Sequence, residues 1–335
     1  MNYKVYLSSS SKARSLKAVT EPCLVVIEPE DFTVKQVAEL KKKGYTVLGY
    51  MSIGSVSDER PYFKSLEPYI LKDDKGRKKK LDDWPHEYFL DLRRTKARDW
   101  CIARAREIQK LGCDGWWLDN VDVYEECERS AMLEAITLTL KRIKGLGGYV
   151  MLNGGMAYLD KVMDTELDRG TYKVQCGAFM RYENAENIQL ELRKIGVKSI
   201  VKHGSDDLYR VQTGAFSEFS NAYKQLDKIL SASIDAYIII ERADRYENPL
   251  SKYVDGVTQE EVLTKITDYS GKGKFTSQTA KQSEEYKQHM CRVKTHGMST
   301  FLLEYSRDSQ MVIKIKNCCA KYKFTGYYCS SDVNL

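Results

Sequence analysis

The sequence predicts an α/β fold: a (β/α)8 barrel interrupted between its fifth and sixth strands by a small α+β domain. Three observations carry this. Short apolar runs take turns with segments of helical period five times before residue 156, and the rhythm resumes after residue 252. Between those stretches the rhythm breaks at an octapeptide that recurs. Removing residues 171–244, 74 of the 335, leaves 261, close to the ~250 of a (β/α)8, or TIM, barrel. The division is therefore residues 1–170 for barrel strands one to five, 171–244 for the insert, and 245–335 for strands six to eight.

Each element has its own signal. Cys23 to Ile27 is a fully apolar run ending in Glu28-Pro29-Glu30-Asp31, as expected of a strand buried on both faces. Val34 to Lys43 has helical periodicity and stops at Gly44. Thr46 to Ile53 reads as the second strand and Glu87 to Leu92, opened by the turn Trp84-Pro85, as the third. A helix from Ala97 to Leu111 stops at Gly112, and Trp116 to Leu118 is the fourth strand. The helix Cys127 to Lys144 stops at Gly145. Gly148 to Leu152 is the fifth strand, ending in Asn153-Gly154-Gly155. Beyond the insert, Tyr253 to Gln259, Met298 to Leu303 and Phe324 to Cys329 supply strands six to eight, with helices at Gln278 to Lys294 and Asp308 to Lys321.

Within the insert, Tyr172-Lys173-Val174-Gln175-Cys176-Gly177-Ala178-Phe179 returns as Tyr209-Arg210-Val211-Gln212-Thr213-Gly214-Ala215-Phe216. Each copy leads into a helical segment (Ala185 to Ile195; Asn221 to Leu230) and a further strand (Lys198 to Lys202; Ala236 to Ile240). The result is two βαβ repeats.

The stretch Gly112 to Tyr124 draws the eye to function. The apolar run Trp116 to Leu118 ends in Asp119, Asn120 and Asp122, and ligands of parallel-strand folds bind at the carboxyl ends of the strands. A carboxylate within the strand would be desolvated at a cost of several kcal/mol. Two acids here also suit the first turn of a following helix.

Composition excludes several classes. A net charge of +6 is modest for this length, and the basic residues fall on helix-like segments or in the loop Lys72 to Lys80, so a nucleic-acid partner is not expected. Nine cysteines without a spacing pattern read as reduced thiols, and four unclustered histidines give neither a metal site nor a cofactor. No apolar run reaches transmembrane or signal-peptide length. The expectation is therefore either an exported chain whose signal is missing from this sequence or one that stays in the cytoplasm until released.

Two resemblances sharpen this reading. The repeated octapeptide pattern resembles the sporulation-related repeat, or SPOR, domain, which packs two helices on a four-stranded antiparallel sheet and binds peptidoglycan glycan strands. Carried over by position, Gln175, Ala178, Leu208 and Arg210 lie on the glycan-facing sheet. Ala178 stands where a serine is frequent and Leu208 where an aromatic is frequent. The other blocks, Gly49 to Gly54 with Arg60-Pro61-Tyr62-Phe63, Trp84 to Asp91, Asp114 to Asp122, Asn153-Gly154-Gly155, Asp255 to Glu260 and Glu304-Tyr305, resemble glycoside hydrolase family 114. That family comprises endo-α-1,4-polygalactosaminidases and related barrels. The resemblance implies a catalytic pair, Asp119 of the fourth strand and Glu260 of the sixth. Ser55 replaces a glutamate usual in the family, and Glu304 an aspartate.

The chemistry fits that pair. Glycosidic cleavage calls for one carboxylic acid to protonate the leaving oxygen and a second carboxylate as nucleophile or base. Asp119 is preferred as nucleophile or base and Glu260 as acid. Glu261 is a rival for Glu260, but alternation along a strand lets only one of them face the cleft. Tyr50, Trp117 and Tyr305 are candidates to stack on sugars, although aromatics in barrel strands serve as core equally well. Arg60 and Asn153 are candidates to orient carboxylates or hydroxyls, and His86 to pack or cap in its turn. Asp91, Asp122 and Glu304 would make the cleft acidic, suiting an amino-sugar polymer. The expected function is hydrolysis of such an envelope or matrix polysaccharide, with the insert targeting peptidoglycan glycan. The alternatives are a phage-type or cell-wall lysin and a catalytically silent glycan-binding barrel.

Overall fold

The barrel strands are Asn2–Tyr6, Cys23–Ile27, Tyr45–Ser52, Gly115–Asp119, Tyr149–Asn153, Gly256–Glu260, Ser299–Tyr305 and Gly326–Ser330, in a computed structural model that describes residues 1–82, 84–166, 170–242 and 249–335. They follow one another around a single eight-stranded sheet, and every pairing in it among the described residues is parallel. The last strand returns to the first, where the Met1 amino group donates to the Thr325 carbonyl at 2.9 Å. Alternation explains why these strands are apolar throughout. Tyr3, Val5, Leu24, Val26, Leu48, Trp117, Met151, Phe301 and Leu303 fill the interior. Their neighbours Val25, Ile27, Trp116, Val150, Leu152 and Leu302 belong to the outer layer packed against the helices.

Two strands differ from expectation, and the two differences offset each other. The first barrel strand is Asn2–Tyr6, not Cys23–Ile27, and its five letters Asn-Tyr-Lys-Val-Tyr mix polar and apolar residues too closely to read as a buried run. Glu87–Phe89 is not a barrel strand. It forms a short antiparallel ladder with Ser55–Ser57, and Glu87 and Tyr88 are only half-buried, whereas a barrel strand is covered on both faces. Asp119 therefore still ends the fourth strand and Glu260 the sixth. The helix Met156–Glu166 and the hairpin Thr264–Asp268 with Lys274–Ser277 are additions that the periodicity did not signal.

The insert forms its own antiparallel sheet, in the order Tyr237–Arg242, Gly170–Phe179, Tyr209–Phe216, Ile200–His203. Helices Tyr182–Lys194 and Phe219–Ser231 cover one face, burying Ala185, Leu192, Phe219, Ala222, Tyr223, Leu226 and Ile229. In the chain this sheet falls between the fifth and sixth barrel strands, which pair directly as Gly256 with Met151 and Val257 with Leu152. The end expected for the insert, Asp244, lies outside the described residues. The insert leans on the barrel wall through Asp227, which accepts from Lys321 Nζ and from the Tyr322 hydroxyl, both at 2.7 Å. Tyr172 and His296 add a buried contact at 3.3 Å. All nine cysteines are free.

Candidate active site

The fourth, fifth and sixth strands end side by side, and each delivers one polar residue to the same point. Asn153 Nδ2 donates to Asp119 Oδ1 at 3.0 Å and to Glu260 Oε1 at 2.7 Å. One nitrogen touching both carboxylates keeps their nearest oxygens no further apart than the sum of those two contacts. Beneath them Thr258 Oγ1, Tyr3 and Trp117 close the barrel with mutual hydrogen bonds of 2.9 to 3.2 Å. The mouth is thus floored by core rather than open to a channel.

Donors are distributed unequally over the pair. Asp119 accepts from Asn153, from the Asn120 amide at 2.9 Å and from the Tyr50 hydroxyl at 3.3 Å. Glu260 accepts from Asn153 and from the Tyr305 hydroxyl at 2.6 Å. Burial and then the negative charge of Glu260 push the Asp119 carboxyl up to about 7, against the lowering effect of Asn153. Burial likewise raises Glu260, opposed by Tyr305 and Asn153. The two acids therefore hold a proton at a pH where isolated carboxyls have lost theirs.

A second network braces Asp119 from the side. Asn120 leaves the strand in the left-handed region at φ 61°, and its Nδ2 donates to Ser52 Oγ at 3.0 Å and Ser55 Oγ at 2.8 Å. Ser55 Oγ lies 2.8 Å from Ser52 Oγ and donates to Glu87 Oε2 at 2.6 Å. Gly54 makes this possible, since a Cβ there would sit 1.7 Å from the Asn120 carbonyl oxygen. Sequence reasoning missed Glu87 as a site residue. It opened an assumed barrel strand, and only the hairpin reveals that it reaches over the end of the third strand.

The structure gathers some candidate residues and disperses others. Tyr50, Asn120, Asn153 and Tyr305 contact Asp119 or Glu260. Asp122 lies nearby, accepting from the Gly155 amide at 3.2 Å and raising Glu260 through its charge. Glu261 turns out of the strand at φ 58° and binds the Ile266 amide, which leaves Glu260 alone at the mouth. Five expected residues have other partners or surroundings. Trp117 is 1% exposed inside the barrel and packs as core, not as a sugar platform. Tyr305, at 3% exposure, offers its hydroxyl to Glu260 rather than a ring face to a ligand. Glu304 is fully buried, its oxygens taken by the Leu263 and Thr264 amides at 2.9 Å and by Thr264 Oγ1 at 2.5 Å, so it anchors a loop. Arg60 pairs with Glu28 at 2.8 Å and Glu30 at 2.6 Å, and orients neither Asp119 nor Glu260. Asp91 is likewise held by an arginine, Arg93, at 2.7 Å. His86 sits beside Asp58 in its turn. Among the described residues no cluster of ligating side chains suited to a metal occurs.

On the insert, the sheet face opposite the helices carries Arg210 paired with Ala178, and Gln212 paired with Gln175. Ala178 is exposed and Leu208 half-buried. Gln175 is 5% exposed because its amide donates to the Tyr237 hydroxyl at 2.5 Å and accepts from Gln212 at 3.0 Å. Arg210 is held by Asp206 in a two-point pair of 2.5 and 2.7 Å.

Comparison with known proteins agrees with these observations. Residues 3–166 match the model of glycoside-hydrolase family GH114 and residues 168–240 that of the SPOR domain. The glycoside hydrolase domain of PelA from Pseudomonas aeruginosa superposes with a TM-score of 0.59 at 12% identity, covering 100% of this chain and 96% of that one. Ega3 of Aspergillus fumigatus, solved in complex with galactosamine, gives a TM-score of 0.51 at 13% identity over 100% and 92% of the two chains. At such identities the likeness speaks for the fold. No curated protein matches. Its matched segments and folded architecture identify a glycoside hydrolase barrel, similar to family GH114 over residues 3–166, that carries a SPOR domain.

Proposed function

We propose that the barrel cleaves an amino-sugar-containing polysaccharide of the bacterial envelope or matrix with retention of configuration, and that the SPOR domain holds the enzyme on peptidoglycan glycan. The observation that carries the catalytic reading is the Asn153 amide, 3.0 Å from Asp119 and 2.7 Å from Glu260. Since the nearest oxygens of the pair are no further apart than the sum of those contacts, the spacing favours the ~5 to 5.5 Å class of double displacement over the ~6.5 to 9.5 Å that leaves room for an intervening water.

Asp119 attacks the anomeric carbon and Glu260 protonates the departing oxygen. Asp119 receives three donors against two for Glu260, which favours its ionised form once Glu260 holds the proton. Moving the proton to Glu260 also removes the negative charge that raises Asp119. The covalent glycosyl-enzyme then yields to water activated by Glu260 as base, returning the proton it gave.

The substrate class follows from charge. Among the described residues, Asp119, Asp122, Glu260 and Glu87 have no ion-pair partner, although the chain as a whole carries +6. A cationic glycan satisfies such a mouth. The galactosamine bound to Ega3 is in keeping with that class. On the SPOR domain, Arg210, Ala178 and Leu208 present the surface for the glycan strand. No helix among the described residues is long and apolar enough to cross a membrane.

The test is release of reducing ends from deacetylated galactosamine polymer and from purified peptidoglycan. Asp119→Asn should abolish turnover while binding persists, and proton NMR should find the first product in the substrate's anomeric form. Absence of products from both polymers would sink the hydrolase reading in favour of a glycan-binding barrel, and an inverted first product would sink retention.

A further inference from the structure

We propose that Glu87 is a specificity-determining residue that binds the ammonium group of an amino sugar in the subsite beside Asp119, an inference that rests on the amino-sugar reading above. Its position is built rather than incidental. The hairpin of Ser55–Ser57 with Glu87–Phe89 stands outside the barrel, and Ser55, 2% exposed, fixes Glu87 Oε2 through a 2.6 Å hydrogen bond. The same Ser55 hydroxyl accepts from Asn120 Nδ2 at 2.8 Å, and Asn120 is the residue next to Asp119. One hydroxyl and one amide thus tie the hairpin carboxylate to the catalytic strand.

The charge of Glu87 is what needs explaining. Neighbouring acids on this rim have their cations: Glu28 and Glu30 share Arg60, and Asp91 has Arg93. Glu87 has none among the described residues, and none of them donates a hydrogen bond to its Oε1. Its field is felt inside the site, because it raises both the Asp119 carboxyl and the Tyr50 hydroxyl. A half-buried carboxylate without a counter-ion costs free energy, and holding it next to another carboxylate costs more. That cost is recovered when a cation enters between them. A metal ion is disfavoured, since no cluster of three ligating side chains occurs among the described residues. A hydroxyl would be served as well by a neutral acceptor. A primary ammonium supplies both charge and directed N–H donors. Its arrival beside Asp119 lowers that carboxyl and keeps it ionised for attack. An N-acetylated unit brings no charge and gives no such help.

The experiment compares wild type with Glu87→Gln, which keeps an oxygen for the Ser55 hydroxyl, on fully deacetylated polygalactosamine and on the same polymer N-acetylated. Expected is a drop of about tenfold in kcat/KM on the deacetylated polymer with little change on the acetylated one. The salt dependence of the deacetylated reaction should flatten as well. Equal losses on both polymers would mean a structural role only, and unchanged rates on both would mean no role. Either result overturns the assignment while the amino-sugar reading stands. If the wild-type enzyme cleaves neither polymer, the amino-sugar reading itself fails and takes this inference with it.

Discussion

Asn153 does work that neither carboxylate can do for itself. Two acids this close repel when both are charged, and a single amide donating to each offsets part of that repulsion and fixes their separation. Asn153→Ala should lower kcat by about a hundredfold with little change in KM, the loss seen when one oriented donor is removed from a reacting centre. Steady-state kinetics on the deacetylated polymer checks it. Asp119 makes a second, thermodynamic prediction. Its carboxyl is raised from 3.8 to about 7 by burial and by Glu260, so folding must strip water from a charge at any pH above the ordinary value. The stability it contributes is present below about pH 4 and is lost as pH rises through about 7. Asp119→Asn, which never ionises, should melt a few °C higher than wild type at pH 8 and no higher at pH 4. Asp119 was legible because an apolar strand stops there. Trp117 and Glu304 were misread because position near a strand end does not tell which way a side chain points. Arg60 could not have been placed at all, since the residues that claim it, Glu28 and Glu30, lie some thirty positions earlier.

At the scale of elements, the turn from the third strand into the hairpin governs the site. Gly54 lies against the Asn120 carbonyl so closely that any side chain must push the two turns apart. Gly54→Ala should cost about 3 kcal/mol or more, read from denaturant unfolding, and remove activity by displacing Asn120 and Asp119 together. The hairpin also explains the misassigned strand. Glu87–Phe89 is a short ribbon with two half-buried residues and one buried, and its aromatic letters do not separate it from a barrel strand. Asn2–Tyr6 escaped notice for the opposite reason. Its Tyr3 and Val5 point inward, while Lys4 interrupts the apolar run on the other face. The repeated octapeptides of the insert were readable because they recur at matched spacing, and each became a strand of the antiparallel sheet.

At the scale of the molecule, barrel and insert share a continuous apolar core, in which Tyr172, Phe219 and Tyr223 of the insert join Met290, Cys291 and Tyr322 of the barrel, and a few polar contacts add to it. Asp227 carries two of these, and its carboxyl is held below its ordinary value by Lys321 and Tyr322 against the opposing effect of burial. Asp227→Ala should loosen the junction by about 1 kcal/mol, read as a lower midpoint in denaturant unfolding with the transition still single because the shared core remains. The insert sheet has one further property. Gly170, at its entry, lies directly opposite Arg242, at its exit, as cross-strand partners. Chain ends that meet in this way make the SPOR unit a cassette. Excising residues 171–241 and joining the stumps with a short Gly-Ser bridge should yield a trimmed enzyme that still hydrolyses dissolved polymer but no longer sediments with cell-wall sacculi. The same adjacency would let the cassette be grafted into the surface loop of an unrelated enzyme without prying its host apart.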